Sequence, residues 1–224
     1  MSKGASGFID TGQCEQEQPW LWDEAPQGVF ATLILAHGAG APMDSSFMQQ
    51  MAQGLAVRGV RVVRFEFTYM ALRRMDGRKR PPNPQAQLLQ QWREVYAKVR
   101  QQVAGPLAIG GKSMGGRMAS LLADELGVSA LTCLGYPFHP AGKPDKPRVA
   151  HLTGLTTPTL IVQGERDALG GRERVADYVL SPAIELHWLK AADHDLRPLK
   201  SSGISHEQHL ERAADAIAAF LQAR

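Results

Sequence analysis

The stretch Ile109-Gly110-Gly111-Lys112-Ser113-Met114-Gly115-Gly116 constrains this chain more than any other. It sets Gly111-x-Ser113-x-Gly115 between the apolar run Leu107-Ala108-Ile109 and the helix-like run Met118-Ala119-Ser120-Leu121-Leu122-Ala123. Strand, abrupt turn and helix in that order are the setting of a nucleophile elbow. The turn holds its serine in a strained backbone conformation, so the side chains two residues to either side must be minimal, which Gly111 and Gly115 satisfy. The serine oxygen then stands exposed at the sheet edge, where backbone amides and the start of the next helix favour an oxyanion.

Gly111-Lys112-Ser113 is also how a phosphate-binding P-loop ends. That loop needs glycine five positions before its last glycine, and Pro106 stands there. Leu107-Ala108-Ile109 reads as the strand itself, which leaves no length for a loop wrapped around phosphate. A nucleotide-binding protein is therefore set aside.

Strand and helix signals alternate through the rest of the chain. Strands are expected over residues 29–36, 60–67, 107–111, 130–136, 159–163 and 184–189, and helices over 46–58, 85–103, 114–126 and 205–221. Apolar strands separated by helices imply a mostly parallel sheet covered on both faces. At 224 residues the whole chain, 1–224, is expected to form one domain. Residues 1–28 are expected to be an extension or antiparallel edge strands, centred on residues 8–22. Residues 68–84, with Arg73, Arg74, Arg78, Lys79 and Arg80, and the proline-rich 137–157 break the pattern and are read as irregular segments. Both follow strands, which puts them at the carboxyl end of the sheet, where such sheets bind ligands.

A formal charge of +3 without a basic helix or an aromatic ladder argues against a nucleic-acid partner. Cys14 and Cys133 are far apart, and nothing resembles a disulfide framework or a metal site, so neither metal nor cofactor is expected. No apolar run is long enough to cross a membrane, and the first residues lack the apolar core of a secretion signal. A cytoplasmic location is the expectation.

Serine is a weak nucleophile unless a base takes its proton. In one common chain order the serine precedes the acid and the histidine comes last. Here Gln163-Gly164-Glu165-Arg166-Asp167 follows one strand and Ala191-Ala192-Asp193-His194-Asp195 follows the next. Asp167 is the candidate acid, with Glu165 as its competitor, and His194 the candidate base. The oxyanion would be held by the amide of Met114 together with that of Ala39 or Gly40, in His37-Gly38-Ala39-Gly40. His37 is read as a turn-stabilising residue, and His187, His206 and His209 as surface or core residues. Arg73, Arg74, Tyr136 and His139 are candidates to touch substrate, and His151 is a further candidate to line the pocket. The basic segment either overhangs the site and steers anionic substrates, is merely solvated, or is braced by carboxylates.

The chain resembles proteins of the α/β-hydrolase fold. More narrowly, it is similar to bacterial relatives of the testis-expressed hydrolase-like proteins and of a subunit of the NSL histone acetyltransferase complex. The residues that carry this likeness are His37-Gly38-Ala39-Gly40, Phe65-Glu66-Phe67 with Tyr69-Met70 and Arg73-Arg74, Arg80-Pro81-Pro82, Gly110 to Arg117, Tyr136-Pro137-Phe138-His139-Pro140, Gln163 to Asp167, and Asp193-His194. Dienelactone hydrolases are similar at greater distance and carry cysteine where this chain has Ser113. The resemblance implies a hydrolase scaffold but no settled substrate. The short insertions leave material for little or no cap domain, so the expectation is a small or extended acyl substrate. An ester or related acyl bond would be cleaved through an acyl-serine intermediate by Ser113, Asp167 and His194. Some eukaryotic relatives look like interaction modules, so the alternative is a catalytically idle scaffold that binds a partner protein.

Overall fold

A computed structural model describes residues 20–224. Most of the expected N-terminal edge region therefore lies outside the described residues. Its described end forms strand β1 (Leu21–Asp23), which pairs antiparallel with β3 (Val60–Phe65). Strands β2 (Ala31–Ala36), β4 (Leu107–Lys112), β5 (Leu131–Leu134), β6 (Thr159–Gly164) and β7 (Ile184–Leu189) complete the sheet. It has seven strands in the order β1-β3-β2-β4-β5-β6-β7, parallel from β3 to β7.

Side chains of a strand alternate between faces, and here both faces are covered. Leu33 and Leu35 of β2 join the layer of helices α1 (Ser46–Ala56) and α7 (His206–Gln222). Ile34 and Ala36 join the opposite layer, with α3 (Gln85–Gln102) and α4 (Met114–Ser120). Helix α3 begins just after Pro84 and buries Leu88, Trp92, Val95 and Val99, one stripe at helical spacing. Trp92 packs edge-on against Phe65 of β3, with ring centroids 4.8 Å apart. Emptying that position with Trp92→Ala should cost about 3–5 kcal/mol.

Two expectations change. Residues 68–84 are not wholly irregular: Thr68–Asp76 is helix α2, ended by Gly77 in the left-handed conformation. Its arginine-rich exposed side masks the buried pair Tyr69 and Met70 that dock it. The helix leaving the elbow is also interrupted. Leu121 and Leu122 donate to Met118 and Ala119, bonds one residue tighter than α-helical, before α5 (Ala123–Leu126) resumes. The short α6 (Arg172–Val175) lies between β6 and β7.

From β2 the chain moves outward to β3, then crosses back to β4 on the other side of β2. The loops after β2 and β4 therefore flank the point where the strand order reverses, the crevice in which open α/β sheets hold ligands. No helix among the described residues is long and apolar enough to cross a membrane.

Candidate active site

Ser113 follows β4 with φ 51° and ψ −114°. A non-glycine residue held in such a sparsely populated region costs on the order of 1–3 kcal/mol. Hydrogen bonds brace it: its N–H donates to Leu134 O at 2.9 Å, and its carbonyl accepts from the Arg117 amide at 3.0 Å. A Cβ on Gly111 would lie 2.6 Å from backbone atoms of Gly115 and Gly116. One on Gly115 would lie 2.6 Å from the carbonyl oxygens of Ala36 and His37. Backbone meets backbone at both positions, so only glycine fits.

The tips of three parallel strands bring Ser113, Asp167 and His194 together. Ser113 Oγ is 2.9 Å from His194 Nε2, and His194 Nδ1 is 2.8 Å from Asp167 Oδ2. Asp167 Oδ2 also accepts from the Gln163 side-chain amide at 2.8 Å, and Oδ1 accepts from the Leu169 N–H at 2.7 Å. All other partners of the carboxylate are donors, so the network assigns the imidazole proton to Nδ1 and leaves Nε2 free to accept from the serine. Glu165, the competing acid, is engaged elsewhere: it binds Arg172 and accepts from the Ala191 amide. Asp193 accepts from the amides of Asp195 and Arg197 within its own turn.

Sequence reasoning did not assign roles to two side chains that hold this line. Gln163 is fully buried and ties the end of β5 to the end of β6, accepting from the Tyr136 N–H at 2.7 Å while donating to Asp167. Lys112, at the last position of β4, donates to the His194 carbonyl at 2.9 Å and lies 3.2 Å from an Asp195 carboxylate oxygen. Its nearly complete burial holds the ammonium below the ordinary lysine pKa, against the opposing pull of Asp195. A lysine ending an otherwise apolar strand was the signal in the sequence.

The loop after β2 is bound just as closely. His37 Nε2 accepts from the Phe67 N–H at 3.1 Å, which places the ring proton on Nδ1, 2.7 Å from Gly38 O. Burial lowers the pKa of this imidazole, in keeping with the neutral ring that the bonding requires. The Tyr69 hydroxyl donates to Ala39 O at 3.0 Å. In a trans peptide the N–H points away from the preceding carbonyl, so anchoring the carbonyls of Gly38 and Ala39 aims the amides of Ala39 and Gly40 the other way. Ala39 lines the cavity with Ser113 and Met114, whereas Gly40 does not. The amides of Ala39 and Met114 have no acceptor among the described residues.

That cavity, about 390 Å³, runs between α4, the start of α3 and the loop after β5. His139 lines it. His151 does not; it bonds to Ser120 at 2.9 Å and lies 3.3 Å from the Tyr136 hydroxyl. Three candidates for substrate contact do not line this cavity. Tyr136 is fully buried, its backbone turned inward by Gln163 and its hydroxyl directed to Arg148 O. Arg74 is bound through two nitrogens to Asp44 and also to the buried Glu66. Arg73 is half-buried and donates to Gly40 O at 3.3 Å, outside the cavity lining. His206 and His209 cap carbonyls of the 195–196 turn, in line with the structural reading given them.

Residues 29–222 match the family described as Alpha/beta hydrolase domain. The chain belongs to the alpha/beta hydrolase family. Like other alpha/beta hydrolases of solved structure, it superimposes over most of its length on an alpha-beta serine hydrolase homologue from Coxiella burnetii (20% identity, 89% of each chain, TM-score 0.67). An a/b serine hydrolase without lid from Xanthomonas campestris is similar (21% identity, 88% of each chain, TM-score 0.64). So is Est1E from Butyrivibrio proteoclasticus, in a structure with ferulic acid bound (17% identity, 91% of this chain and 93% of that one, TM-score 0.68). At such identities the likeness establishes the alpha/beta hydrolase fold. The described residues likewise contain no separate cap domain. No curated protein matches the chain in sequence.

Proposed function

We propose that this alpha/beta hydrolase cleaves an ester or a related acyl bond of a small molecule through an acyl-serine intermediate. The observation that carries the reading is the unbroken hydrogen-bonded line from Ser113 Oγ through His194 to Asp167. In the first half-reaction His194 Nε2 takes the serine proton as Oγ adds to the substrate carbonyl carbon. The carbonyl electron pair moves to its oxygen, which faces the amides of Ala39 and Met114. The pair then returns, the bond to the leaving group breaks, and the leaving oxygen receives the proton from His194. Water repeats the sequence on the acyl-serine, so ester and water become acid and alcohol. Asp167 stays ionised throughout and stabilises the imidazolium. The described part of the chain has no cap, and the cavity opens beside the nucleophile, which suits a small acyl substrate. On the motifs quoted above, we also place the chain beside the bacterial relatives of the testis-expressed hydrolase-like proteins.

Incubation with a serine-reactive phosphonate, followed by peptide mapping, tests the reading. The adduct is expected on Ser113 and is expected to be lost when His194 is replaced by alanine. A protein that stays unlabelled and turns over no acyl 4-nitrophenyl ester would instead be a scaffold for a partner protein.

A further inference from the structure

We propose that the substrate carries an anionic group near its scissile carbonyl, a carboxylate in the simplest case, and that Arg117 and Arg148 receive it. The proposal deepens the hydrolase reading above and rests on it. Arg117 and Arg148 both line the cavity beside Ser113, together with His139, and its wall contains no aspartate or glutamate. Several arginines elsewhere are matched by carboxylates. Arg58, Arg64, Arg74, Arg80 and Arg93 each lie within 2.9 Å of a carboxylate oxygen.

The two cavity arginines are not. Arg117 sits one helical turn beyond the nucleophile, and both its Nη1 and Nη2 reach the same atom, Gln85 Oε1, at a long 3.3 Å. Its Nε is buried without an acceptor among the described residues. A guanidinium presents five donors, so one amide oxygen leaves most of this one unsatisfied. Burial lowers its pKa, and the nearby positive charge of Arg148 adds to the effect. The Arg148 backbone is fixed, its N–H bound to Phe138 O at 2.7 Å and its carbonyl to the Tyr136 hydroxyl. Its guanidinium forms no ion pair among the described residues.

Unpaired, partly desolvated cations destabilise a fold, and two side by side do so more. An entering carboxylate would accept from both guanidinium groups and remove both costs. Leu88, Met118 and Leu169 add apolar wall between the uncharged polar groups of Asn83, Gln85 and Ser113 and the imidazole of His139. The matching ligand is therefore amphipathic, a short hydrocarbon ending in an acid.

Three esters separate the possibilities. Mono-4-nitrophenyl adipate carries its carboxylate on the acyl side, 4-(hexanoyloxy)benzoate carries it on the leaving group, and 4-nitrophenyl hexanoate has none. Each ester is compared between wild type and Arg117→Met, Arg148→Met or Arg78→Gln, so its intrinsic reactivity cancels. Arg117→Met and Arg148→Met are expected to lower kcat/KM for one of the acid-bearing esters, relative to the hexanoate, by roughly tenfold to a hundredfold. The ester affected tells which side the arginines read. Arg78→Gln, on the exposed segment, should leave that ratio unchanged. Equal losses on all three esters, or an unchanged ratio in both cavity variants, would overturn the proposal while leaving the hydrolase reading intact. If no ester is hydrolysed, the hydrolase reading fails, and calorimetry with adipate on the intact protein still decides this one. Binding that Arg148→Met weakens supports the anion site, and absence of binding removes it.

Discussion

Around Asp167 both carboxylate oxygens are occupied, the imidazole of His194 is held at each nitrogen, and the serine backbone is braced at its amide and its carbonyl. Along the adjoining wall the balance is reversed: the donors of Arg117 exceed their acceptors, and Arg148 projects a charge that nothing in the described chain answers. The two regions meet at Ser113, which lines the cavity with both arginines, and differ in what completes them. The first is finished by the fold itself, so its geometry precedes substrate, the condition under which oriented groups lower a barrier without reorganising. The second is left for a ligand to finish. Damage to the first should slow every ester alike, and damage to the second should redistribute activity among esters.

The largest effect that can break this division is expected from Ser113→Ala. Loss of the nucleophile should reduce kcat on the order of a millionfold, the scale seen when a serine protease loses its serine, with the circular dichroism spectrum and Tm retained. Activity that survives on a simple ester would take the chemistry away from the elbow. Asp167→Asn should come next, with a loss of roughly ten-thousandfold, because asparagine preserves shape but can hold the imidazole in the wrong tautomer. Asp193→Asn and Asp195→Asn, whose carboxylates serve a turn and Lys112, should cost far less. A reversed order in kcat measurements would overturn the line as described.

Lys112→Met sharpens the comparison by leaving all the reacting atoms in place. It removes a charge-assisted bond to the His194 carbonyl, worth about 1.5–3 kcal/mol, and so should lower kcat by roughly tenfold to a hundredfold. Because the lysine acts through the position of His194, the fall should be common to acidic and neutral esters, with KM little changed. A selective loss on acid-bearing esters would instead place Lys112 in the substrate wall.

The smallest effect concerns the support behind the wall. Burial pushes the His151 imidazole down to about 4 from its ordinary 6.5, with the charge of Arg117 adding to the shift. Between those values the unfolded chain binds more protons than the folded one, so stability is complete above about pH 6.5 and declines as pH falls toward 4. Tm measured across that window should fall less steeply in His151→Gln than in wild type. Parallel curves would show that His151 does not contribute to the acid sensitivity.

The line of Ser113, His194 and Asp167 was legible because its signals are local. Glycines at fixed offsets around Ser113 report a backbone crossing, and an acid and a histidine just past successive strands report a shared sheet edge. The wall was not legible, because pairing is a property of space. In the sequence, Arg74 and Arg117 are equivalent cations near strand ends. Only the fold gives the first Asp44 and Glu66 and leaves the second with a single amide oxygen. Tyr136 was misplaced for a related reason. Its position just after β5 is at the correct edge, but the Gln163 side chain catches its backbone and turns the ring inward. The arginines of residues 68–84 concealed α2, because a run of charge looks the same on an exposed helical face as in a solvated loop.

Beneath the elbow lies Cys133, fully buried, with its Sγ 3.6 Å from the Gly116 carbonyl. Burial raises the pKa of this thiol, so in the closed protein it is neither ionised nor reachable by an alkylating reagent. Its modification rate is therefore a clock for the layer on which the nucleophile rests. In a Cys14→Ser background, alkylation that outpaces global unfolding would register breathing of the elbow alone. The same measurement with a phosphonate attached to Ser113 would show whether occupying the site stills that motion.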